Sequence, residues 1–298
     1  MATLFYFENN ENPAQQLAQA CGLSAACISV HRFPDDELRL QLPVDAQGRT
    51  PTDVVLYLSL DHPNDKLIEL LLATQQAKAL GTQRILLVAP YLAYMRQDIA
   101  FHPGEVVSQR IIGQFLAGLV DGLITVDPHL HRISRLDEAV PLPFAQVVSG
   151  ADILAQYVQH HHAAPILIGP DGESEQWVAQ AAQKRGWTYG VCQKVRHGDH
   201  EVTIELPPLP VRDHAVVLLD DIASSGRTLA KACELLLAAG AASVDVAVTH
   251  ALFAHDALDV IHGAGVRRVW STDCVPHSSN TIAIAPALAP IVQEWLAR

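Results

Sequence analysis

Two adjacent carboxylates and a run of small residues give the stretch Val216–Thr228 the clearest chemistry in the sequence. Asp220 and Asp221 follow an apolar run, which we expect to be a buried strand. Ligands of open α/β sheets bind at the carboxyl ends of such strands. The small residues Ala223–Gly226 let the backbone approach an anion, and the helix expected next adds its N-terminal N–H groups. The segment predicts a phosphate-binding loop, but not a Walker loop, since no Gly-Lys-Ser/Thr follows the glycine.

The polar side chains of this stretch need separate roles. Carboxylates repel a phosphate, so Asp220 and Asp221 are predicted to hydrogen-bond ribose hydroxyls, directly or through magnesium. The hydroxyls of Ser225 and Thr228 are predicted to help hold the phosphate. The alternative is that Asp220 merely ends a strand and Asp221 merely precedes a helix.

Five further segments carry side chains suited to a nucleotide, its cation or charge stabilisation: Phe33–Leu42, Ala89–Asp98, Thr125–Arg132, Ile168–Ser174 and Gln193–Pro207. Arg96 can grip a phosphate through its planar fork, although an ion pair between Arg96 and Asp98 is an alternative. Lys194 and Arg196 point the same way on an extended chain, because strand side chains repeat every two residues. They are suited to neutralising a transferred phosphoryl group, and an ordinary exposed basic pair is the alternative.

Short β-rich runs alternate with Ala/Leu-rich amphipathic segments, which is typical of βαβ units and a mostly parallel sheet. Predicted strands are 54–59, 84–89, 122–126, 165–168, 215–219, 243–249 and 267–271, and predicted helices are 66–80, 106–119, 150–160, 175–185, 228–239 and 287–296. A pattern of strand, loop, helix, glycine and strand recurs about 160 residues apart. We therefore predict two similar α/β domains, 1–145 and 146–298.

The composition of the 298-residue chain limits its function. A net charge of −12 opposes non-specific nucleic-acid binding, while a local cleft can still take a phosphorylated substrate. No apolar run has the roughly 18 residues that span a membrane, and the first residues do not resemble a secretory signal. The five scattered cysteines are typical of reduced thiols in a cytosolic protein. The run His160–His162 is interpreted as a solvated helix end, with a metal site as the alternative.

In order and spacing, these segments resemble the ribose-phosphate diphosphokinase family over essentially the whole chain. The stretch Val216–Thr228 alone also resembles type I phosphoribosyltransferases, and Ser224 makes it similar to the archaeal form of the loop. The resemblance implies two phosphoribosyltransferase-like domains, with the last helix, 286–298, packed back on the first. It also implies a cytoplasmic dimer or hexamer that uses Mg²⁺ to convert ATP and ribose 5-phosphate to phosphoribosyl diphosphate and AMP.

The resemblance assigns a role to each matching residue. Those implied for ATP are Phe33, Asp35, Glu37, Arg96 and Gln97, the first three serving a neighbouring subunit. Those implied for ribose 5-phosphate are Asp220, Asp221, Ser224, Ser225, Gly226, Arg227 and Thr228. His129 and Asp171 are the implied metal ligands, and Lys194 and Arg196, on a mobile loop, are the implied catalytic residues.

Three residues depart from the family pattern. Asp36 and Arg227 stand where the family has glycine, and Ser225 stands where it has threonine. A positive φ at position 227 would strain an arginine or force another loop path. These changes favour one alternative, a non-catalytic regulator of a true synthase. A type I phosphoribosyltransferase, which shares the loop at Asp220, and diphosphoryl transfer to a modified ribose phosphate also stay open.

Overall fold

The structure, a computed structural model, describes residues 2–130, 132–197 and 201–298, and of residues 194–197 and 201–203 it describes the backbone only. The chain divides into two compact units. The first unit is Met1–Val148 with Ile284–Arg298, and the second unit is Ser149–Ala283. Within the described residues, no helix is both long and apolar enough to span a membrane.

The first unit contains a mostly parallel sheet. Its strands are β1 Thr3–Phe7, β2 Ser24–Arg32, β3 Leu38–Gln41, β4 Asp53–Tyr57, β5 Arg84–Val88, β6 Gly122–Val126 and β7 Ala145–Val148. They lie in the order β3-β2-β1-β4-β5-β6-β7, and β3 pairs antiparallel with β2. The helices among them are α1 Glu11–Cys21, α2 Pro63–Ala79, α3 Ser108–Leu119 and α4 Leu136–Ala139.

The second unit contains a parallel sheet and a separate hairpin. Its helices are α5 Gly150–His161, α6 Glu175–Gln183, α7 Arg227–Ala238 and α8 Ala257–Gly263. Its strands are β8 Ile166–Gly169, β9 Tyr189–Val191, β10 Gln193–His197, β11 Glu201–Glu205, β12 Ala215–Ala223, β13 Ser243–Ala251, β14 Val269–Thr272 and β15 Asn280–Ile282. The sheet order is β15-β14-β13-β12-β8-β9, while β10 and β11 pair antiparallel with each other.

Helices cover both faces of the second sheet, which explains why its central strand β12 is apolar from Ala215 to Leu219. Val216 and Leu218 of β12 pack in the core that includes α7, whereas Val217 and Leu219 pack in the core formed with α5 and α6. Alternate side chains of a strand point to opposite faces, so burial on both faces requires a continuous apolar run.

The last helix, α9 Ala285–Leu296, packs on the first unit. The Arg84 guanidinium lies 4.7 Å from the centre of the Trp295 ring, and Arg298 lies at the same distance from Phe144. Gly122 leaves room for this contact, because a Cβ there would lie 2.8 Å from Trp295 Nε1. The glycine that opens β6 therefore lets the chain end dock beside it.

The predicted α/β class is confirmed, and the predicted helices and strands are present with ends displaced by up to about four residues. The largest displacement is at β12, which continues to Ala223 because Ile222 and Ala223 pair with His250 and Ala251 of β13. Asp220 and Asp221 therefore lie inside the strand and not after it. Unpredicted elements include β1, α1 and β2, whose short or mixed sequences lack a clear period.

The histidine run lies at the end of α5 as predicted, with His160 and His161 exposed, and two of its rings also make specific contacts. The His161 ring stacks on Trp270 with centroids 4.8 Å apart. His162 Nε2 lies 2.7 Å from Asp245 Oδ2, and Arg267 also pairs with this fully buried carboxylate. A buried carboxylate without partners is strongly unfavourable, so His162 and Arg267 stabilise Asp245 within the fold.

Candidate functional site

Three of the predicted acidic residues meet at one edge of the second sheet. Asp220 and Asp221 lie near the end of β12, where Asp221 is 3% exposed and donates its backbone N–H to Asp220 Oδ1 at 3.0 Å. Strand β8 pairs parallel with β12, so the turn after β8 emerges at the same edge. That turn carries Asp171.

The close approach of this turn depends on Gly169, the last residue of β8. A Cβ at Gly169 would lie 2.1 Å from Ser174 Oγ and 2.9 Å from Val191 Cγ1. The Ser174 hydroxyl donates to the Asp171 carbonyl at 2.6 Å, and Asp171 Oδ1 accepts from the Glu173 N–H at 3.0 Å. These bonds fold the chain into a 3₁₀ turn, Gly172–Ser174, that fixes the Asp171 side chain at the strand end.

The edge is strongly negative. Burial raises the pKa of Asp220 well above the ordinary aspartate value, and the Asp221 and Asp171 carboxylates raise it further. Burial and Asp171 also raise the pKa of the Cys192 thiol to about 11. The cluster of Asp171, Asp220 and Asp221, here called the acidic edge, therefore favours groups that donate hydrogen bonds or carry positive charge.

The loop after β12 has the form expected of a phosphate loop. Ser224 and Ser225 are exposed, and Gly226 turns the chain with φ +70°. A Cβ on Gly226 would lie 2.9 Å from the Ile261 side chain and 3.0 Å from the Ala257 carbonyl, so α8 supports the loop from behind. Helix α7 then begins, which directs its first N–H groups toward the loop.

Arg227 is not strained. It is the first residue of α7 and lacks a positive φ, because Gly226 takes the left-handed conformation instead. The other replaced glycine behaves differently. Asp36 has φ +68°, a conformation that glycine adopts freely and aspartate tolerates better than most residues.

In the first unit, the loop that carries Arg96 is fixed by one glutamine of α3. Gln109 is 4% exposed; its side chain donates to the Met95 carbonyl at 3.2 Å and its N–H donates to the Gln97 carbonyl at 3.2 Å. The Arg96 side chain between these anchors is exposed. This arrangement presents the guanidinium outward from a firmly held backbone.

A second loop of the first unit, after β6, meets the Arg96 loop. Asp98 is not paired with Arg96, as one alternative held, but with Arg132 at 2.5 Å. The loop begins with two left-handed residues, Asp127 at φ +36° and His129 at φ +55°. Such backbone conformations concentrate at ligand sites, where the surrounding structure enforces them. His129 is half-buried at this position.

The third segment of the first unit, the turn from Phe33 to Glu37 between β2 and β3, is exposed throughout. The Phe33 N–H donates to the Glu37 carbonyl at 2.9 Å, which closes the turn, and Asp35 Oδ1 accepts the Glu37 N–H at 3.4 Å. The Phe33 ring is 39% exposed and meets His31 edge-on. Glu37 lines a cavity of about 250 Å³ with Arg32, Asp36, Leu38, Asp65 and Ile68.

The first turn of α2 connects the Phe33 turn to the Arg96 loop, which sequence reasoning did not predict. Asp65 pairs with Arg32 at 2.9 Å, next to Phe33. Asn64 Oδ1 accepts a hydrogen bond from the Tyr94 hydroxyl, two residues before Arg96. Adjacent residues of one helix end therefore hold both segments predicted to bind ATP. The polar run at 62–66 was the available signal, but it also fits an ordinary helix start.

The predicted catalytic pair cannot be placed in the same detail. Lys194 and Arg196 lie in β10, whose backbone pairs with β11 at Ile204 and Val202. Their side chains lie outside the described residues, so their predicted role stays a prediction.

Comparison with known proteins places this arrangement in a family. Residues 2–119 match the model of the N-terminal domain of ribose phosphate pyrophosphokinase, and residues 145–286 match the phosphoribosyl transferase domain. A ribose-phosphate pyrophosphokinase of Methanopyrus kandleri is 31% identical over 94% of this chain and 94% of its own. The chain belongs to the ribose-phosphate pyrophosphokinase family.

Other relatives agree with this family assignment. The ribose-phosphate pyrophosphokinase of Halobacterium salinarum is 30% identical over 94% of this chain and 97% of its own. The crystal structure of phosphoribosylpyrophosphate synthetase from Mycobacterium smegmatis has the same fold, with a TM-score of 0.83 and 22% identity over 100% of this chain and 99% of that one. The family resemblance in the sequence is therefore confirmed. The relatives from Methanopyrus kandleri and Halobacterium salinarum are both archaeal.

Proposed function

We propose that this chain is an ATP:ribose-5-phosphate diphosphotransferase. The anomeric oxygen of ribose 5-phosphate forms a bond to the β-phosphorus of ATP. The bond from that phosphorus to the oxygen bridging the α- and β-phosphates breaks, AMP leaves, and the hydroxyl proton is released. Such a reaction depends on positioning and charge stabilisation, so no protein nucleophile is needed.

The observation that carries this proposal is the acidic edge joined to a phosphate loop. The 5-phosphate accepts hydrogen bonds from the backbone and hydroxyls of Ser224, Ser225 and Thr228, around the turn at Gly226, and Arg227 adds a positive charge. Asp220 and Asp221 accept hydrogen bonds from the ribose hydroxyls, which relieves the electrostatic strain expressed in the raised pKa of Asp220. One end of the site thus suits an anion and the other a polyol.

ATP is proposed to contact both kinds of segment that the first turn of α2 holds, each supplied by a different copy of the chain. Arg96 contacts its phosphates, Gln97 contacts the nucleotide, and Phe33, Asp35 and Glu37 hold the base. Because the Phe33 turn projects from its own unit as an exposed surface, we propose that it serves the site of a second copy of the chain, so the enzyme is at least a dimer.

Mg²⁺ fits the residues available. The acidic edge supplies hard carboxylate oxygens, which magnesium prefers. Magnesium also tends to keep several waters and to bridge substrate phosphates. We propose that His129 binds the magnesium of Mg-ATP and that Asp171 is a second metal-linked carboxylate; bound magnesium would neutralise charge on the phosphate oxygens. Lys194 and Arg196 supply further positive charge to the transferred group.

The structure removes one ground for the regulator alternative. That alternative drew on the replacement of a family glycine by Arg227, which suggested a distorted loop. Arg227 starts α7 without a positive φ, so the replacement does not strain the backbone at this position.

The test is AMP release from Mg-ATP with and without ribose 5-phosphate. We expect AMP release that depends on ribose 5-phosphate. In Lys194→Ala its rate should fall at least roughly 100-fold, because a group that stabilises charge in the transition state is removed. Lys184→Ala is the matched control, because Lys184 is an exposed lysine of the same unit, paired with Asp152. Folded wild-type protein that releases no AMP would refute the proposed function.

A further inference from the structure

The phosphate loop is supported by the segment between β13 and α8. The Ala254 N–H donates to the Ser224 carbonyl at 3.1 Å, which ties that segment to the first loop residue. The neighbouring α8 closes over Gly226, as described above. The position of residues 252–256 therefore sets the position of the loop predicted to take the 5-phosphate.

Phe253 anchors this segment. Its ring packs against the core on the α7 side of the sheet. On another side it meets the ring of His277, with centroids 5.0 Å apart and a tilt of 49°. The Phe253 side chain is therefore held between the core and His277, directly beside Ala254.

Several hydrogen bonds hold His277 in place. Its Nδ1 accepts from the Ser279 N–H at 3.1 Å and lies 2.7 Å from the Ser279 hydroxyl. The Ser279 hydroxyl lies 2.7 Å from that of Ser271, and the His277 N–H donates to Asn280 Oδ1 at 2.8 Å. An Nδ1 that accepts from a backbone N–H carries no proton, so the ring is neutral with its proton on Nε2. Burial lowers the pKa of His277 and favours the same neutral form.

We propose that His277 is a positioning residue for the phosphate loop, acting through Phe253 and the hydrogen bond from Ala254 to Ser224. Nothing in the sequence motifs assigns His277 a role, since it lies about 50 residues beyond the loop it supports. The inference rests on the proposed function, because its consequence is a change in the affinity for ribose 5-phosphate. Neither ring contacts the substrate in this proposal, so the chemical step is left unchanged.

The test compares His277→Ala, Phe253→Ala and the double variant by steady-state kinetics with each substrate. We expect each single variant to raise the KM for ribose 5-phosphate roughly 3- to 10-fold, the range for loss of an aromatic pair. The KM for ATP should stay unchanged. Because His277 acts through Phe253, the double variant should be no worse than Phe253→Ala. Independent, multiplying effects would overturn the proposed route.

Two further variants separate positioning from general stability. His277→Asn keeps an acceptor for the Ser279 N–H but lacks the ring, so it should behave like His277→Ala; a wild-type KM would overturn the ring contact. His161→Ala is the matched control, since His161 also loses a ring contact, with Trp270, in the same unit. It should lower the melting temperature without changing the KM for ribose 5-phosphate. If His161→Ala raised the KM for ribose 5-phosphate as much as His277→Ala does, the effect would reflect lost stability and the proposal would be wrong.

Failure of this inference is distinguishable from failure of the proposed function. Absence of AMP release from the wild type refutes the function. An active wild type whose His277→Ala and Phe253→Ala variants keep its KM for ribose 5-phosphate refutes only the positioning role.

Discussion

The two units present their proposed site residues in opposite ways. In the second unit, Asp220 and Asp221 lie within a central strand and meet Asp171 at the sheet edge, so the residues contact one another before any ligand arrives. In the first unit, Phe33 and Arg96 extend from separate loops into solvent, and only the backs of these loops are joined.

This contrast indicates where each of the two groups of proposed site residues stores free energy. The acidic edge holds like charges close together, which destabilises the free protein but prepares it for ribose hydroxyls and a cation. The loops of the first unit carry little repulsion of this kind between like charges, because their exposed side chains remain solvated. Substitutions in the acidic edge should therefore change stability and activity in opposite directions, whereas those in the first unit should change ATP affinity alone.

The largest expected effect is that of Asp220→Asn. Loss of a hydrogen bond to a charged acceptor costs about 1.5–3 kcal/mol, so kcat/KM for ribose 5-phosphate should fall roughly 10- to 100-fold. The melting temperature of the ligand-free variant in EDTA should nevertheless rise, since the folded wild type must either take up a proton at Asp220 or hold a third charge beside two carboxylates. Asp259→Asn, at an exposed position of α8, is the control and should change neither.

The pH dependence of that stabilisation has a defined sign. The folded-state pKa of Asp220 is raised, so between the ordinary aspartate value and the raised value the carboxyl ionises in the unfolded chain but stays protonated in the fold. The wild type therefore loses stability as pH rises through this window, and the asparagine variant does not. Melting temperatures measured across pH should diverge upward from the ordinary aspartate pKa. If the melting temperatures of the two proteins changed in parallel with pH, the raised pKa of Asp220 would not be the source of the difference in stability.

A smaller effect is expected from Gln109→Ala in the first unit. It removes the bond to the Met95 carbonyl and loosens the loop that presents Arg96. We expect the KM for ATP to rise about 3- to 10-fold, from a net hydrogen-bond contribution near 1 kcal/mol. The KM for ribose 5-phosphate should stay constant. Gln114→Ala, at an exposed position of the same helix, is the matched control. Equal rises in both KM values would contradict the division between the two units.

Sequence patterns predicted the second unit better than the first for a physical reason. The apolar run before Asp220 and the glycine at 226 are local signals of a strand end and a turn, so the phosphate loop was recognisable from adjacent residues. The extension of β12 to Ala223 was not, because it depends on pairing with Ala251. Local patterns do not contain such long-range register.

Two ion pairs that hold the proposed ATP segments of the first unit join residues that are distant in the sequence. Arg132 pairs with Asp98 across 34 positions, and Arg32 pairs with Asp65 across 33. Charged residues of this kind fit many exposed positions, so only the folded chain reveals which pairs form. The contact between the rings of Phe253 and His277 was not predicted either, because the two residues are distant in the sequence and neither belongs to a recognisable motif.

The smallest and most selective expected effect concerns Phe33. Because its ring is 39% exposed and packs on little of its own unit, Phe33→Ala should change the free energy of unfolding by less than about 0.5 kcal/mol. If the turn holds the base of ATP for a second copy of the chain, the variant should raise the KM for ATP.

Mixing two variant chains then tests whether the Phe33 ring acts in its own site or in that of a neighbour. Phe33→Ala and Lys194→Ala chains, each poorly active at limiting ATP, should together form sites that combine an intact Lys194 with an intact Phe33 from the neighbour. Random pairing makes about one site in four complete. Activity near that fraction after unfolding and refolding the mixture would support sharing between copies. Activity equal to the sum of the separate variants would place Phe33 in the site of its own chain, and the exposed turn would then need another explanation.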